Sequence, residues 1–238
     1  MLRSGPATSE TPGTLDNVQL LSALSAGERR AIERRCQWRR FARDEQIIDH
    51  ETDSTDIYFV ASGSVRIVNY SLGGREVTFD DIDAGGYFGE LAAIDGQPRS
   101  ATVVATAPTL TASLQAPAFR EVLMTHPPIA LALLKRLAKV IRQSTGRIMD
   151  LSSLGANNRI YAELLREARA SGVTGNRAAI RPIPVHADLA ARVSTTRETV
   201  ARVLNDLARK RIVQRDSGAL VILDVGRLSG MVEEFRGE

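Results

Sequence analysis

One run in the middle of this chain limits its architecture more than any other. Positions Ala130, Leu134, Leu137, Ile141, Ser144, Ile148 and Leu151 follow one another at spacings of 4, 3, 4, 3, 4 and 3, and all but Ser144 are apolar. This is a seam three heptads long, the pattern along which one helix meets a partner helix. A second apolar line, at Leu133 and Val140, predicts packing of the same helix on its own chain. The helix is expected from about 128 to 154, after Pro127-Pro128. A parallel homodimer through the 130–151 seam follows, and Ser144 is a polar interruption of the kind that fixes register.

The blocks on either side differ in character. Upstream, Leu15 to Arg35 reads as a helix with a break at Ser25-Ala26-Gly27, and Ala118 to Met124 as another. Between Phe41 and about Leu114 lie short strands. Ile57–Val60 and Val65–Val68 flank Ser62-Gly63-Ser64 as a hairpin, and Gly73-Gly74 opens a second hairpin into Val77 to Ile82. Ala101–Ala105 and Leu110–Leu114 follow. Evenly spaced strands with glycine turns predict a small antiparallel barrel or roll. Downstream, helices at Asn158–Arg169, Ala187–Val193 and Thr196–Lys210 are joined by a turn at Ser194-Thr195. A short edge strand is expected in Ile180–Val185, and a hairpin over Ile212–Leu223 with Asp216-Ser217-Gly218 at its tip. Thr195 and Glu198 have capping-box spacing. Helix, turn, helix and hairpin make a winged helix-turn-helix. The fold class is therefore α+β, with a disordered tail at 1–14, a first domain at 15–154 that includes the long helix, and a second domain at 155–238.

Charge and cysteine usage narrow the partners. Net charge is +3, yet residues 176–215 hold nine basic against three acidic side chains, +6 in that segment alone. A basic block on a mildly acidic body points to a polyanion. The single cysteine, Cys36, excludes an intrachain disulfide framework and suits a reducing cytoplasm. His50, His126 and His186 lack metal-ligand spacing, and no apolar run reaches the roughly 18 residues of a membrane span. Neither a nucleophile–base pair nor a metal constellation is present, so an enzyme is not expected.

Two stretches carry recognition chemistry. Between Gly85 and Ala105 the chain reads GGYFGELAAIDGQPRSATVVA. Gly85, Gly86 and Gly89 let backbone approach a ligand, and free N–H groups at such a turn form an anion-binding concavity. Arg99 offers a fork of donors matched to phosphate oxygens, and Ser100 adds a hydroxyl. Glu90 would repel phosphate, so it is read as an acceptor for a sugar hydroxyl. An anion pole beside a hydroxyl pole describes a sugar phosphate; a surface Glu90–Arg99 pair is the plainer reading. In the second stretch Val200, Leu204 and Leu207 form a buried stripe, leaving Arg197, Glu198 and Arg202 for a major groove. Arginine reaches guanine and glutamate accepts from cytosine. A Glu198–Arg202 ion pair at i,i+4 is compatible with this. Thr195, Thr196, Thr199, Lys210 and Arg215 suit phosphates.

Phe88-Gly89-Glu90-Leu91 followed by Pro98-Arg99-Ser100-Ala101-Thr102 resembles the phosphate-binding cassette of cyclic-nucleotide-binding domains. Thr196-Arg197-Glu198-Thr199-Val200-Ala201-Arg202 is similar to the recognition helix of the cyclic-AMP receptor protein family, and the likeness runs from Leu15 to about Leu223. The resemblance implies a β-roll that binds 3′,5′-cyclic AMP through Gly89, Glu90, Leu91, Arg99 and Ser100, with Ser144 and Thr145 against the base. It also implies a GTG-type palindromic half-site read by Arg197, Glu198 and Arg202, and RNA polymerase as a partner. The Ser-then-Thr order at 144–145 reverses that of the best-known member. A hydroxyl can donate or accept, so cyclic GMP fits as well. The same residues also fit a nucleotide-independent regulator, or a cyclic-nucleotide-binding regulatory module of an enzyme.

Overall fold

The computed structural model describes residues 14–71 and 76–233. The expected tail, apart from Thr14, and the Gly73-Gly74 turn lie outside the described residues. The chain divides into two units: residues up to Asn69 with Phe79–Arg136, and Tyr70–Thr78 with Leu137 onward.

In the first unit Ser25 starts helix α1 (Ala26–Glu33) through a full capping box with Glu28. The expected helix at Leu15–Arg35 is therefore corrected. Its first half holds a single 3₁₀ turn, Gln19–Leu21, with Leu20 and Leu21 buried in it and Leu15, Val18 and Leu24 buried in the irregular backbone around it. The expected break is the true helix start.

Strands follow as β1 (Gln37–Phe41), β2 (Gln46–Ile48), β3 (Ile57–Ser62), β4 (Ser64–Tyr70), β5 (Glu76–Asp83) and β6 (Tyr87–Phe88). After helix α2 (Glu90–Asp95) come β7 (Thr102–Ala105) and β8 (Thr109–Leu114). They form two four-stranded sheets, β1-β8-β3-β6 and β2-β7-β4-β5. Strand β8 runs antiparallel to β1 and β3, β6 to β3, and β7 to β2 and β4. Side chains from both sheets, among them Ile48, Val60, Val65, Ile82, Phe88 and Val103, close one core.

The Ser62-Gly63-Ser64 hairpin is also corrected, because β3 and β4 belong to different sheets. Gly63 alone separates them, one residue fewer than the tightest common hairpin loop. Its φ of +83° and the approach of Pro108 O, 2.4 Å from where a Cβ would sit, require glycine at this sheet switch.

Helix α3 (Ala116–Thr125) leads into α4 (Pro127–Ser153), which starts on a proline, a residue pre-set for the first helical position. Ile129 and Leu133 on α4 are buried, whereas Leu134, Ile141 and Ile148 of the seam are 61%, 66% and 62% exposed. Val140 departs from expectation: it is 39% exposed and does not continue the line of Leu133.

The second unit holds α5 (Ala156–Ala170), β9 (Ala178–Ile180), α6 (His186–Arg192), α7 (Arg197–Arg209), β10 (Val213–Asp216), β11 (Ala219–Ile222) and α8 (Val225–Glu233). Its sheet runs β10-β11-β9, with β9 at the edge and ending before Pro182, which lacks a ladder donor. Ile160, Leu164, Leu189, Val200, Leu207, Ile212, Ile222 and Leu228 build its core. Helix α8 lies beyond the elements expected from sequence. Its signal is Asp224, whose carboxylate accepts from Arg227 N at 2.8 Å, followed by buried Val225, Leu228 and Val232.

Candidate ligand site and nucleic-acid interface

Strand β6 delivers the chain to Gly89, whose φ of +79° turns it into α2. A Cβ there would lie 2.6 Å from Arg99 Nη1 and 3.0 Å from Asp56 O, so the site closes only around a glycine. Arg99 is 3% exposed. Its Nη1 donates to Gly89 O at 3.0 Å, Nη2 to Asp56 O at 2.8 Å and Nε to Ser54 Oγ at 2.9 Å. Backbone bonds from Arg99 N to Thr52 O and from Glu51 N to Arg99 O hold the same segment against the cassette. The side-chain bonds use three of the five guanidinium N–H donors.

Among the described residues no carboxylate makes an ion pair with Arg99, so the simple Glu90–Arg99 surface pair is not formed. Burial works against the Arg99 charge, and Tyr58, Asp56 and Glu90 work for it. Tyr58, stacked on Phe88 at 5.0 Å, lies under the guanidinium at 5.7 Å. A buried cation held by neutral acceptors keeps a strong attraction for an anion. Glu90 is half-buried, and desolvation raises its carboxyl above the usual range; its own backbone N–H, Arg136 and Arg99 pull it back, while Asp80 adds to the rise. The carboxylate is thus poised to gain from a hydroxyl donor. Leu91 and Ser100 are exposed, and Ser100 O accepts from Asn69 Nδ2 at 3.1 Å.

The structure brings Gly89, Glu90 and Arg99 together in the first unit. Ser144 and Thr145 lie on α4 in the second unit, and Thr145 Oγ donates to Ile141 O at 3.0 Å. Ser54 and Asp56 escape a sequence reading, since they lie more than 40 residues before Arg99 in a loop without a motif.

In the second unit Arg197, Glu198 and Arg202 are exposed on α7, opposite buried Val200, Val203, Leu204 and Leu207. The helix cap is Thr196, not Thr195: Thr196 Oγ accepts from Thr199 N at 3.2 Å. Ser194, at φ +53°, turns the chain so that the helix starts one residue later than the capping-box spacing implied, and Thr195 N donates to Ala190 O. Arg159 holds this turn, donating to Val193 O and Ser194 O. Glu198 is held low by its own N–H, then Thr196 and Arg197, with no ion pair to Arg202 among the described residues. Lys210 pairs with Asp206 at 2.8 Å, and Arg215 donates to His186 Nε2 at 3.2 Å.

Residues 38–126 match the cyclic nucleotide-binding domain and residues 158–231 the Crp-like helix-turn-helix domain. Over 172 residues the chain is 34% identical to the cyclic AMP receptor protein of Thermus thermophilus, covering 72% of this chain and 77% of that one. The chain belongs to the cyclic AMP receptor protein family.

As a family member it is a transcription regulator with a cyclic-nucleotide-binding domain and a DNA-binding domain, and not an enzyme. Two solved structures share its fold. One is a mutant of CooA from Carboxydothermus hydrogenoformans, with TM-score 0.77, 19% identity and coverage of 93% of this chain and 97% of that one. The other is the c-di-GMP responsive global regulator CLP of Xanthomonas campestris, with TM-score 0.67, 20% identity and coverage of 83% and 99%. Among the described residues no group of His, Cys, Asp and Glu is placed to hold a metal, and no helix is long and apolar enough to cross a membrane.

Proposed function

We propose that this family member is a cytoplasmic homodimer that binds 3′,5′-cyclic AMP and then a palindromic GTG-type DNA site, and that it works with RNA polymerase. The observation that carries the reading is Arg99: a buried guanidinium with no carboxylate partner among the described residues, beside a half-buried carboxylate at Glu90. The cyclic phosphate goes to Arg99, Ser100 and the backbone of Gly89 and Glu90, and the ribose 2′-hydroxyl to Glu90. Leu91 borders the sugar, and the base reaches Ser144 and Thr145. Exposed Leu134, Ile141 and Ile148 form the dimer seam. Arg197, Glu198 and Arg202 read base edges, and Thr195, Thr196 and Thr199 meet phosphates.

A ligand that contacts the seam acts through its different affinity for two helix packings. The packing in turn sets the spacing of two recognition helices against half-sites about 34 Å apart. The Thermus relative is named for cyclic AMP, which supports the choice of base. Cyclic GMP is the second reading, because two hydroxyls accept or donate equally well.

Calorimetry with both nucleotides tests the choice. Tighter cyclic AMP binding, with DNA affinity gained only then, is expected; tighter cyclic GMP binding with the same gain reverses it. Binding of neither, with DNA affinity intact, makes the chain a nucleotide-independent regulator.

A further inference from the structure

Helix α7 ends on an arginine where the backbone conformation favours glycine. Arg211 has φ +53°; its N–H donates to Ala208 O at 3.0 Å, and Ile212 N donates to Leu207 O at 2.9 Å. These two bonds make a Schellman end, whose left-handed position usually belongs to glycine. The Arg211 side chain is exposed and makes no hydrogen bond or ion pair among the described residues. No polar contact of that side chain offsets the strain at the position.

Arg211 borders a groove of about 690 Å³ within the second unit. Buried Leu204, Val213 and Leu220 and exposed Ala208 form its floor, Arg211 and Arg215 line it as well, and no carboxylate does. Asp206, on the same helix, is paired with Lys210 at 2.8 Å. Val213, Gln214 and Arg215 are consecutive in β10, so the groove follows the edge of that strand and not one face. Strand β10 is the edge of its three-stranded sheet. Leu223 N donates to Ile212 O at 2.8 Å, and the register then pairs Val213 with Ile222, Gln214 with Val221 and Arg215 with Leu220. Hydrogen-bonded pairs alternate along antiparallel strands. Gln214 therefore turns its N–H and C=O to β11, while Val213 and Arg215 turn theirs to the free edge.

We propose that this strip docks an extended acidic segment of a partner protein, which adds to β10 as a fourth strand. Main-chain bonds to Val213 and Arg215 hold the segment, and its alternate side chains enter the groove. An apolar one covers Leu204 and Ala208, and carboxylates on either side meet Arg211 and Arg215. Duplex DNA is the poorer occupant. Its phosphates suit the arginines, but they offer no donor to the Val213 and Arg215 carbonyls and nothing apolar to the floor. The groove also borders the C-terminal half of α7, whereas Arg197, Glu198 and Arg202 lie toward the helix start. The inference does not rest on the cyclic-nucleotide reading.

The full chain, Arg211→Gly and Ala208→Glu are each melted, then titrated with a blocked peptide of alternating glutamate and valine and with its glutamine–valine counterpart. Wild type should bind the glutamate peptide roughly fivefold or more tighter than the glutamine one, the scale of two exposed charge pairs. Arg211→Gly should melt at or above the wild-type temperature, because glycine adopts a positive φ freely, yet lose about half or more of that preference. Ala208→Glu, which sets a carboxylate in the groove, should weaken the glutamate peptide further. In hydrogen exchange the peptide should protect the Val213 and Arg215 amides and leave Gln214, already bonded to β11, unchanged. Affinity for duplex DNA should be the same in both variants as in wild type. A wild type that binds neither peptide, or both equally, overturns the docking site, as does binding without protection at Val213 and Arg215. Duplex affinity that falls in Arg211→Gly while peptide binding stays assigns the groove to DNA phosphate and overturns it too.

Discussion

Arg99 and Arg202 are both read as recognition arginines, yet they are set in opposite ways. Arg99 is buried, and its donors are placed by Gly89 O, Asp56 O and Ser54 Oγ. Arg202 is exposed on a helix whose other face is Val200, Val203, Leu204 and Leu207. One charge is part of the fold around it, and the other is displayed on a fold that does not depend on it. A ligand site that must hold a small anion gains from fixing its donors beforehand. A DNA-reading side chain has to reach a base edge and can be ordered on arrival. Mutations should therefore couple binding to stability at the first position and separate them at the second.

The largest effect tests that coupling. Arg99→Ala removes the cation and leaves buried acceptors at Gly89 and Asp56 without their donor. Nucleotide affinity should fall by about 100-fold, since hydrogen bonds to charged groups contribute about 1.5–3 kcal/mol each, and the melting temperature should fall with it. Arg202→Ala should weaken binding to a G·C-containing half-site by about 1–3 kcal/mol and relax its sequence preference. Its melting temperature should stay at the wild-type value, as surface changes usually shift stability by no more than about 0.5 kcal/mol. Anisotropy with base-substituted duplexes and a melt of each variant check the pair; equal loss of stability in both would break the comparison.

A smaller effect is expected at Ser54. Ser54→Ala deprives Arg99 Nε of its acceptor and should lower nucleotide affinity by roughly 3–10-fold, the scale of a single hydrogen bond. DNA affinity at saturating nucleotide should not change. Glu90 sharpens the stability side further. Its carboxyl is raised by desolvation, so the folded state binds the proton more tightly than the unfolded chain. That contribution is full below the unfolded pKa and is lost as pH rises through the raised folded value. Without nucleotide, Glu90→Gln should melt higher than wild type at neutral pH, and the difference should vanish near pH 4.

The two regions also differ in how far the sequence exposes them. The recognition helix is readable because its periodicity separates Val200, Leu204 and Leu207 from Arg197, Glu198 and Arg202. Only the cap is displaced, to Thr196, by the left-handed turn at Ser194. At the cassette the glycines and Arg99 are readable, whereas Ser54 and Asp56 come from a distant segment that only the fold brings near. The same limit explains the strands. Local alternation finds β3 and β4, but Gly63 sends them into separate sheets, and pairing partners in distant segments, Leu114 for Ile57 and Ala105 for Val65, leave no local trace. Helix α1 departs from expectation for another reason: buried leucines at helical spacing pack an irregular segment, and the Ser25–Glu28 box fixes the start.

The central claim joins the two regions: an anion at Arg99 changes what Arg197, Glu198 and Arg202 can do. The direct measurement is the affinity of wild type and Arg99→Lys for a labelled GTG-containing palindrome, each with and without cyclic AMP. Wild type should bind the duplex at least tenfold tighter with the nucleotide. Arg99→Lys, which keeps the charge but not the planar fork, should need far more nucleotide for the same gain. A wild-type affinity that is the same with and without nucleotide would contradict the account.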